Sequence, residues 1–505
     1  MFSPSKRRLR IAFVALLLLS LAAVGYGFAK SSTDTTLEQH LDGEGGVDEG
    51  AQIASESDGV TVVATDSNSW RGERSEGPRA LAELVAFEPD GTVLYYDDSH
   101  TRYWDVDPVP GTQSTVEYSY ADHLDGNECP AADEWNHSEY GVDRETWDTY
   151  YEEHGKIDAC TYNGVERANL STGETEEVWG HPTPGKEATR YHDVDRINDT
   201  HIVVADIYLD GILVANTETD EIAWRWNASD DIPTDGAGGP YPKDWSHIND
   251  VEVLEDDRIM VSGRNFDRAL FVTPPDRAGG EATANVSADD VSETTNETAS
   301  NETPPSAELD EEWTLGEEDD YEILYEQHNP DFINESNGGP AVVVADSENN
   351  RVLEYQRVDG EWEQTWVWRD ARMQWPRDAD RLPNGHTLIT DSNGNRVFEV
   401  DEEGETVWSA NVAFPYESER LGTGDESAGG PSAESADIAS REGSAGDWFW
   451  ITLKKVLPGK YVNGLMYVTP VWMGLAEVLA LALGLVVALA WGATELRWYL
   501  GNRRS

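Results

Sequence analysis

An internal repeat constrains the fold of this chain more than any other feature of its sequence. Four segments share one pattern: a first strand with an aspartate, an alternating apolar–polar run such as HIVVAD, RIMVSG or HTLITD, and a Trp-bearing run such as IAWRW at 222–226. The repeats are anchored on Asp193, Asp250, Asp331 and Asp378. Four short strands per unit of about 40 residues are typical of a β-propeller blade.

Weaker copies of the pattern extend the repeat region toward the N-terminus. They occupy residues 82–107, 162–180 and 59–66, the last of which is a candidate closing strand. We therefore predict an all-β chain with a six-bladed propeller over residues 60–415, seven blades being the alternative. Residues 121–160 and 275–311 are expected to be insertions, the second of them disordered, and residues 417–446 a flexible linker.

Both ends of the chain are apolar. Residues 11–29 follow a basic cluster and are interpreted as a membrane anchor or signal peptide, and residues 467–491 are long enough to span a bilayer. Basic residues before the first span and after the second predict both termini inside, so that the propeller is extracellular at the cell membrane. Lys454, Lys455 and Lys460 disagree with this orientation and are interpreted as snorkelling from an interfacial stretch. Glu477 is an acid within the second span.

Two further patterns fit an exported central segment. Cys129 and Cys160 are predicted to form one disulfide, two free thiols being the alternative. Eight N-x-S/T sequons predict a glycoprotein. They begin at Asn136, Asn169, Asn198, Asn227, Asn285, Asn296, Asn301 and Asn334.

The net charge excludes one class of function and indicates an environment. With 98 acidic against 36 basic residues, the charge of −62 excludes a nucleic-acid binder that relies on a broad positive surface. The 19 Trp, 20 Tyr and 10 Phe exclude a disordered acidic chain. Only eight basic residues are lysines. This composition favours a halophilic protein, since self-repulsion is tolerable where salt shortens the Debye length to about 3 Å.

Histidines recur within the three residues before the anchoring aspartate of the repeat, one residue before it at His192 and three residues before it at His247 and His328. His192, His247 and His328 precede the anchoring aspartate of three blades, and Arg377 takes that place in the fourth. Because the first strand of each blade lines the channel, these side chains are expected to meet on one rim. Arg264 follows the second strand of the His247 blade. Imidazoles with a guanidinium make an anion site, whereas a metal such as zinc, the alternative for three histidines, is disfavoured beside an arginine.

The chain resembles the PAPS-independent aryl-sulfate sulfotransferases in one motif. The motif consists of His247-Ile248-Asn249, then Ser262-Gly263-Arg264 with Arg264 17 residues after His247, then His328 64 residues after Arg264. The upstream pair 192–193 fits the same family. Within that family, the chain is similar to a membrane-anchored haloarchaeal-type member. The resemblance implies an exported six-bladed propeller enzyme that moves a sulfuryl group from an aryl sulfate to a phenolic acceptor. By the same resemblance, His328 is the sulfated nucleophile, and His192, His247 and Arg264 bind the sulfuryl oxygens and protonate the leaving phenolate.

Other functions remain open on the same scaffold. The repeats also resemble the NHL-type propeller, so a non-catalytic extracellular binding module is one alternative, and a metal-dependent hydrolase is another. No cofactor or metal is expected, because a phenolate leaves without an activated nucleotide and the sequence has no P-loop. The expected partners are the small-molecule donor and acceptor.

Overall fold

In the computed structural model, six four- or five-stranded sheets surround a central channel, and their strands pair antiparallel except for one parallel pair, β20 with β26. The structure describes residues 6–31, 35–41, 46–47, 50–66, 82–155, 158–186, 188–275, 307–444 and 446–503. From the channel outward, the first three blades contain the strands β25 (Pro415–Arg420), β1 (Thr61–Thr65), β2 (Leu84–Phe87) and β3 (Val93–Asp97); β4 (Arg102–Pro108), β5 (Thr115–Asp125), β6 (Ala159–Asn169) and β7 (Glu174–Pro184); and β8 (Tyr191–Asn198), β9 (His201–Asp206), β10 (Gly211–Asn216) and β11 (Glu221–Asn227).

The other three blades follow the same order. They contain β12 (Ile248–Val253), β13 (Ile259–Gly263), β14 (Arg268–Thr273), β15 (Glu308–Leu309) and β16 (Leu315–Gly316); β17 (His328–Ile333), β18 (Ala341–Asp346), β19 (Arg351–Val358), β20 (Glu361–Arg369) and β26 (Arg441–Glu442); and β21 (Pro376–Arg381), β22 (Thr387–Asp391), β23 (Arg396–Val400) and β24 (Thr406–Ala410). The prediction of six blades is confirmed, and the alternative of seven is wrong.

The ring closes through a strand from each end of the repeat region. β1 pairs antiparallel with β25, so the first blade takes its inner strand from the C-terminal part and its outer strands from the N-terminal part. Aliphatic and aromatic side chains fill the spaces between blades; Val203, Trp226, Val261 and Phe266, for example, belong to one buried cluster. Closing the sheets into a ring leaves no free inner edge and fixes the six inner strands around one channel.

In the described part of the chain, six α-helices lie outside the blades. They are α1 (Lys6–Ser31), α2 (Arg144–His154), α3 (Ala433–Ala436), α4 (Trp448–Val456), α5 (Gly459–Tyr467) and α6 (Leu475–Asn502). Short 3₁₀ helices include Leu37–Gln39, His137–Tyr140, Ala228–Asp230, Arg264–Phe266 and Glu335–Asn337.

α1 and α6 are long and apolar enough to cross a membrane, and they contact each other. Arg10 binds Glu495 with two hydrogen bonds, and Gly27 lies so close to Glu477 that a Cβ there would overlap the carboxylate. Glu477 accepts a hydrogen bond from the backbone N–H of Gly474 at 3.0 Å. This acid therefore satisfies a backbone donor at the start of α6.

The expected insertions and linker have the following structures. Cys129 and Cys160 form the predicted disulfide, which joins a loop to β6. Part of the 121–160 tract extends the β5–β6 ladder, and the rest carries α2. Most of the 275–311 tract, with Asn285, Asn296 and Asn301, lies outside the described residues. Of the described sequon asparagines, Asn136 is exposed and the others are half-buried.

The tract 417–446 differs from the flexible linker that its composition predicts. It begins within β25, continues through α3, and ends beside β26, which pairs with β20. Its serines bind the propeller: Ser427 Oγ donates to Asp331 Oδ2 at 2.6 Å, and Ser432 Oγ donates to the Gly338 carbonyl at 3.1 Å. Ser427 and Ser432 are therefore structural here, because each hydroxyl donates a hydrogen bond to an atom of the propeller.

Candidate functional site

The structure brings the three predicted histidines together at one mouth of the channel. His192 lies in β8, His247 directly precedes β12, and His328 begins β17. The rings of His192 and His247 meet edge to face, with centroids 5.4 Å apart. Tyr416, at the start of β25, links the group, because its ring lies 5.7 Å from His192 and 6.1 Å from His328.

His328 is buried and its ring is fixed by one hydroxyl. Its Nδ1 lies 2.8 Å from Ser347 Oγ, and that hydroxyl donates its proton to a backbone carbonyl, best to Pro376 at 2.7 Å. A hydroxyl has a single proton, so Ser347 accepts from Nδ1–H of His328. The lone pair of the neutral ring is therefore on Nε2.

His192 stacks on Trp104, with ring centroids 4.1 Å apart, and its Nδ1 lies 3.1 Å from the Tyr416 hydroxyl. Its Nε2 is buried without a hydrogen-bond partner in the described structure. A buried ring nitrogen of this kind is costly unless a ligand satisfies it. The Nε2 of His192 is thus a position for a substrate oxygen.

His247 is paired with a carboxylate. Its Nδ1 lies 2.7 Å from Asp244 Oδ1. Burial opposes the charge of Asp244, but His247 and Arg264 outweigh this and lower the pKa of the carboxyl below its usual range. An ionised carboxylate on Nδ1–H orients the imidazole and stabilises its protonated form.

Arg264 is held by an acid that sequence reasoning did not identify. Its Nη2 binds Glu326, its Nη1 donates to Asn265 Oδ1 at 3.2 Å, and its buried Nε has no partner in the described structure. The same Glu326 carboxylate binds Lys460 of α5. Arg264 therefore has a fixed orientation and retains a free donor for an anion.

Arg377 is a second guanidinium beside the histidines. It lies 4.5 Å from the Tyr416 ring centroid and 4.3 Å from that of Trp375, and its Nε is buried without a partner in the described part of the chain. Its place before Asp378 in the repeat predicted that it lies on this rim, but the sequence did not include it among the catalytic residues. Tyr416 offered no such signal, because it follows the last repeat.

The electrostatic environment keeps the histidines neutral. Burial lowers the pKa of His328 well below the usual imidazole range, and the nearby Arg377 and Arg264 lower it further. Burial and the neighbouring His247 have the same effect on the pKa of His192. Two unprotonated imidazoles beside two permanently charged guanidinium groups can attack and bind an anionic, electrophilic group.

A cavity of about 370 Å³ adjoins this group. Arg264, Asp244 and Lys460 line it, as do Tyr321 and Tyr325, whose rings stack with centroids 3.9 Å apart. The three histidines are not among its described lining residues. The cavity is large enough for a small aromatic ligand, and the tyrosines offer it an aromatic wall.

The helices that precede the second apolar span pack against the site. Asn463 of α5 donates to Glu348 Oε2 at 2.8 Å and to the Ser347 carbonyl at 3.5 Å, and the Tyr467 ring lies 6.2 Å from that of Trp375. Lys454 donates to the carbonyls of Ala371 and Met373 at 2.9 and 2.6 Å.

These contacts correct the interpretation of two lysines. Lys454 binds backbone carbonyls of the propeller, and Lys460 binds Glu326, so neither snorkels toward a membrane surface. Burial lowers the pKa of Lys454 to about 8. Lys455 remains half-exposed and pairs with Glu442 at 2.8 Å.

Comparison with known proteins was made for sequence and for structure. No curated protein sequence matches the chain. Among solved structures, the periplasmic gluconolactonase of Pseudomonas aeruginosa is similar at 10% identity and a TM-score of 0.40, covering 72% of this chain and 99% of that one. A catalytically inactive virginiamycin B lyase of Staphylococcus aureus is similar at 7% identity and a TM-score of 0.34, covering 66% and 78%. Similarities this low carry no argument about the site.

The family comparison is more specific. The model of the family described as arylsulfotransferase (ASST) matches residues 186–413. The matched region includes His192, His247, Arg264, His328 and Arg377. Over these residues, which are less than half of the chain, the protein is similar to the arylsulfotransferase (ASST) family.

Proposed function

We propose that this protein is a membrane-anchored sulfotransferase that moves a sulfuryl group from an aryl sulfate to a phenol through a sulfohistidine on His328. The observation that carries the proposal is the His328–Ser347 hydrogen bond, because it leaves the Nε2 lone pair available in a ring that burial and two arginines keep neutral. The family match supports arylsulfotransferase activity in general.

The proposed reaction has two steps, transfer of the sulfuryl group to His328 and then to the acceptor. The Nε2 of His328 forms a bond to sulfur as the bond from sulfur to the aryl oxygen breaks, and the phenolate leaves and takes up a proton. The acceptor phenol then loses its proton and attacks the same sulfur, and the S–N bond breaks to restore neutral His328. Each step passes through a loose transition state with charge on the sulfuryl oxygens, as in phosphoryl transfer.

The other site residues have separate roles in this proposal. Arg264 and Arg377 bind the sulfuryl oxygens, and the otherwise unpartnered Nε2–H of neutral His192, whose Nδ1 accepts from the Tyr416 hydroxyl, donates to one of them. His247, oriented by Asp244, exchanges the proton with the phenolic oxygen. Preorganised charges of this kind contribute most when they need no rearrangement during the reaction.

The test is mass spectrometry of the full-length protein, quenched after incubation with a chromogenic aryl sulfate and no acceptor. A sulfuryl adduct on His328 is expected in the wild type and not in His328→Asn. An adduct on His192 or His247 would keep the enzyme class but overturn the assignment. No adduct and no turnover would favour a binding module.

The location of the enzyme is part of the same proposal. The two apolar helices and the disulfide support a propeller held at the outer face of the cell membrane. Protease added to intact cells in high salt should digest the propeller. Protection until the cells are lysed would reverse the orientation.

A further inference from the structure

The inner strands fill the central channel with carboxylates. Acidic residues repeat with period two along these strands, so their side chains point the same way. They are Asp105, Asp107, Asp193, Asp195, Asp250, Glu252, Asp378, Asp380, Glu417 and Glu419, together with Asp331. Several of these carboxylates use one oxygen to accept a hydrogen bond from the neighbouring blade. For example, the backbone N–H of Phe332 donates to Glu252 at 2.8 Å, and that of Ser418 donates to Asp378 Oδ2 at 3.0 Å.

Four carboxylates converge at one level of this channel. Asp331, Asp378, Asp380 and Glu426 each place an oxygen within 4.8 Å of the oxygens of the other three. The first three are at most 1% exposed, and Glu426 comes from the turn after β25. Asp331 lies three residues beyond His328 on β17, so the cluster is about 10 Å further along the channel than the histidines.

Hydrogen bonds between blades leave several carboxylate oxygens of this cluster without a donor. Both carboxylate oxygens of Asp380 are buried with no N–H or hydroxyl donor in the described structure, and so are Asp378 Oδ1 and Glu426 Oε2. Their near neighbours are other carboxyl groups: Asp378 adjoins Asp380, and Asp331 adjoins Glu426. A fifth acid, Glu419, lies beside the cluster: its Oε1 accepts from the backbone N–H of Glu426 at 3.0 Å, while its Oε2 is buried and unpartnered. Glu419 is 1% exposed.

No basic side chain compensates these charges. Within the described residues, none of the five acids forms an ion pair with a lysine, arginine or histidine. Uncompensated buried carboxylates are too costly to keep ionised, so protons or a cation must neutralise them.

A bound cation satisfies more of the geometry than protons do. Protonating one carboxyl removes one charge and gives one donor, whereas several unpartnered oxygens converge here. Hard divalent cations bind oxygen ligands, and Ca²⁺ takes six to eight of them at roughly 2.3–2.6 Å, so opposite ligands are about 4.8 Å apart. Mg²⁺ needs shorter bonds and usually keeps several waters, which a cluster lined by buried carboxylates does not favour.

We propose that Asp331, Asp378, Asp380 and Glu426 bind one Ca²⁺ ion in the propeller channel, with Glu419 beside it. Asp331 belongs to the fifth blade, Asp378 and Asp380 to the sixth, and Glu426 to the turn that follows the closing strand. The ion therefore joins two blades to the chain segment that leaves the ring. Its function is structural and is separate from the proposed sulfuryl transfer.

The experiment uses the full-length protein in detergent and molar KCl, with metal removed by EGTA and then Ca²⁺ or Mg²⁺ added. Bound calcium is counted by elemental analysis, and the Tm is measured for the wild type, for Asp380→Asn and for Asp359→Asn. The control residue Asp359 is exposed and has φ of 52°, a conformation that asparagine tolerates. Two other carboxylate groups, Asp105–Asp107–Glu417 and Asp107–Asp195–Asp425, lie in the described structure. Because these groups could also bind calcium, the readout is the difference in bound calcium, in equivalents per protein, between the wild type and Asp380→Asn.

We expect Asp380→Asn to lose one equivalent of calcium or to bind it at least tenfold more weakly, and Asp359→Asn to match the wild type. Saturating Ca²⁺ should raise the Tm of the wild type by about 5 °C and that of Asp380→Asn by much less. Equal calcium binding by the wild type and Asp380→Asn would overturn the proposal. So would a wild type that binds no calcium, since protons would then neutralise the cluster. If Asp380→Asn does not fold, Glu426→Gln in the turn after β25 provides the same comparison.

Discussion

Lys460 and Arg264 bind the same carboxylate, that of Glu326, although one lies in α5 and the other follows β13. Because Lys460 shares this carboxylate, the negative charge of Glu326 compensates the positive charge of Arg264 only in part. We predict that Lys460→Met weakens donor binding, because Glu326 then neutralises Arg264 more completely. KM for an aryl sulfate should rise about two- to tenfold, with a smaller change in kcat.

Lys455→Met is the matched control for this prediction. Lys455 is one helix away, half-exposed, and paired with Glu442 instead of a site residue. It should leave KM unchanged when both variants are compared in the same salt. Equal KM values for Lys460→Met and the wild type would mean that the Lys460–Glu326 contact only docks α5.

Ser347 should be a positioning residue, because its hydroxyl fixes the tautomer of His328. In Ser347→Ala, Nδ1–H of His328 loses its acceptor and the ring is no longer held with Nε2 toward the substrate. We expect kcat to fall about 10- to 100-fold, and the sulfohistidine to form more slowly in quenched samples.

The sixth blade contains a control for Ser347. Ser392 takes the equivalent position, and its hydroxyl donates to the Pro415 carbonyl at 2.6 Å, as Ser347 donates to Pro376. Ser392→Ala removes the same kind of blade-to-blade bond and should affect stability without slowing the first transfer step. If the two variants were equally slow, the role of Ser347 would be structural.

The rate of transfer should remain high at mildly acidic pH. A nucleophilic imidazole must be neutral, and burial with Arg377 and Arg264 holds the pKa of His328 below its usual range. His192, His247 and Tyr416 also face this ring. The acidic limb of the kcat/KM profile should therefore lie below pH 6.5, the ordinary imidazole value.

Arg377→Met tests the cause of this shift. Removing a positive charge favours protonation of His328, so the acidic limb should move to higher pH, whatever happens to the maximal rate. An acidic limb of the wild type at or above pH 6.5 would contradict the prediction. A limb that does not move in Arg377→Met would assign the shift to burial and the remaining charged neighbours, Arg264 among them.

Residues within the repeat could be predicted from the sequence, whereas those outside it could not. Equivalent positions in a blade occupy equivalent places around the channel, so the spacing of His192, His247 and His328 was sufficient to predict their meeting. Tyr416 and Lys460 come after the last repeat. The closed ring brings Tyr416 to the histidines, and the docking of α5 brings Lys460 to Glu326.

Composition was misleading where single contacts determine the structure. The segment after β25 has the Gly, Ser and Ala content of a linker, yet Ser427 and Ser432 bind specific blade atoms. Lys454 has the sequence context of a snorkelling lysine, but it binds two backbone carbonyls that no local pattern announces. Contacts between distant segments determine both structures.

His100 should make the stability of the propeller depend on pH above neutrality. Burial opposes its charge, but Asp122 at 2.8 Å from Nδ1 and Glu166 at 3.5 Å from Nε2 outweigh burial and raise its pKa to about 9. The folded state therefore binds this proton more tightly than the unfolded state does. The stabilisation is complete below about pH 6.5 and is lost as the pH rises to about 9; it should amount to about 1–3 kcal/mol.

Thermal denaturation between pH 6 and 9.5 should show this decline in the wild type and a smaller one in His100→Gln. His137→Gln is the control, because His137 Nδ1 bonds a backbone carbonyl at 2.9 Å. A wild-type decline that His100→Gln leaves unchanged would assign it to other groups.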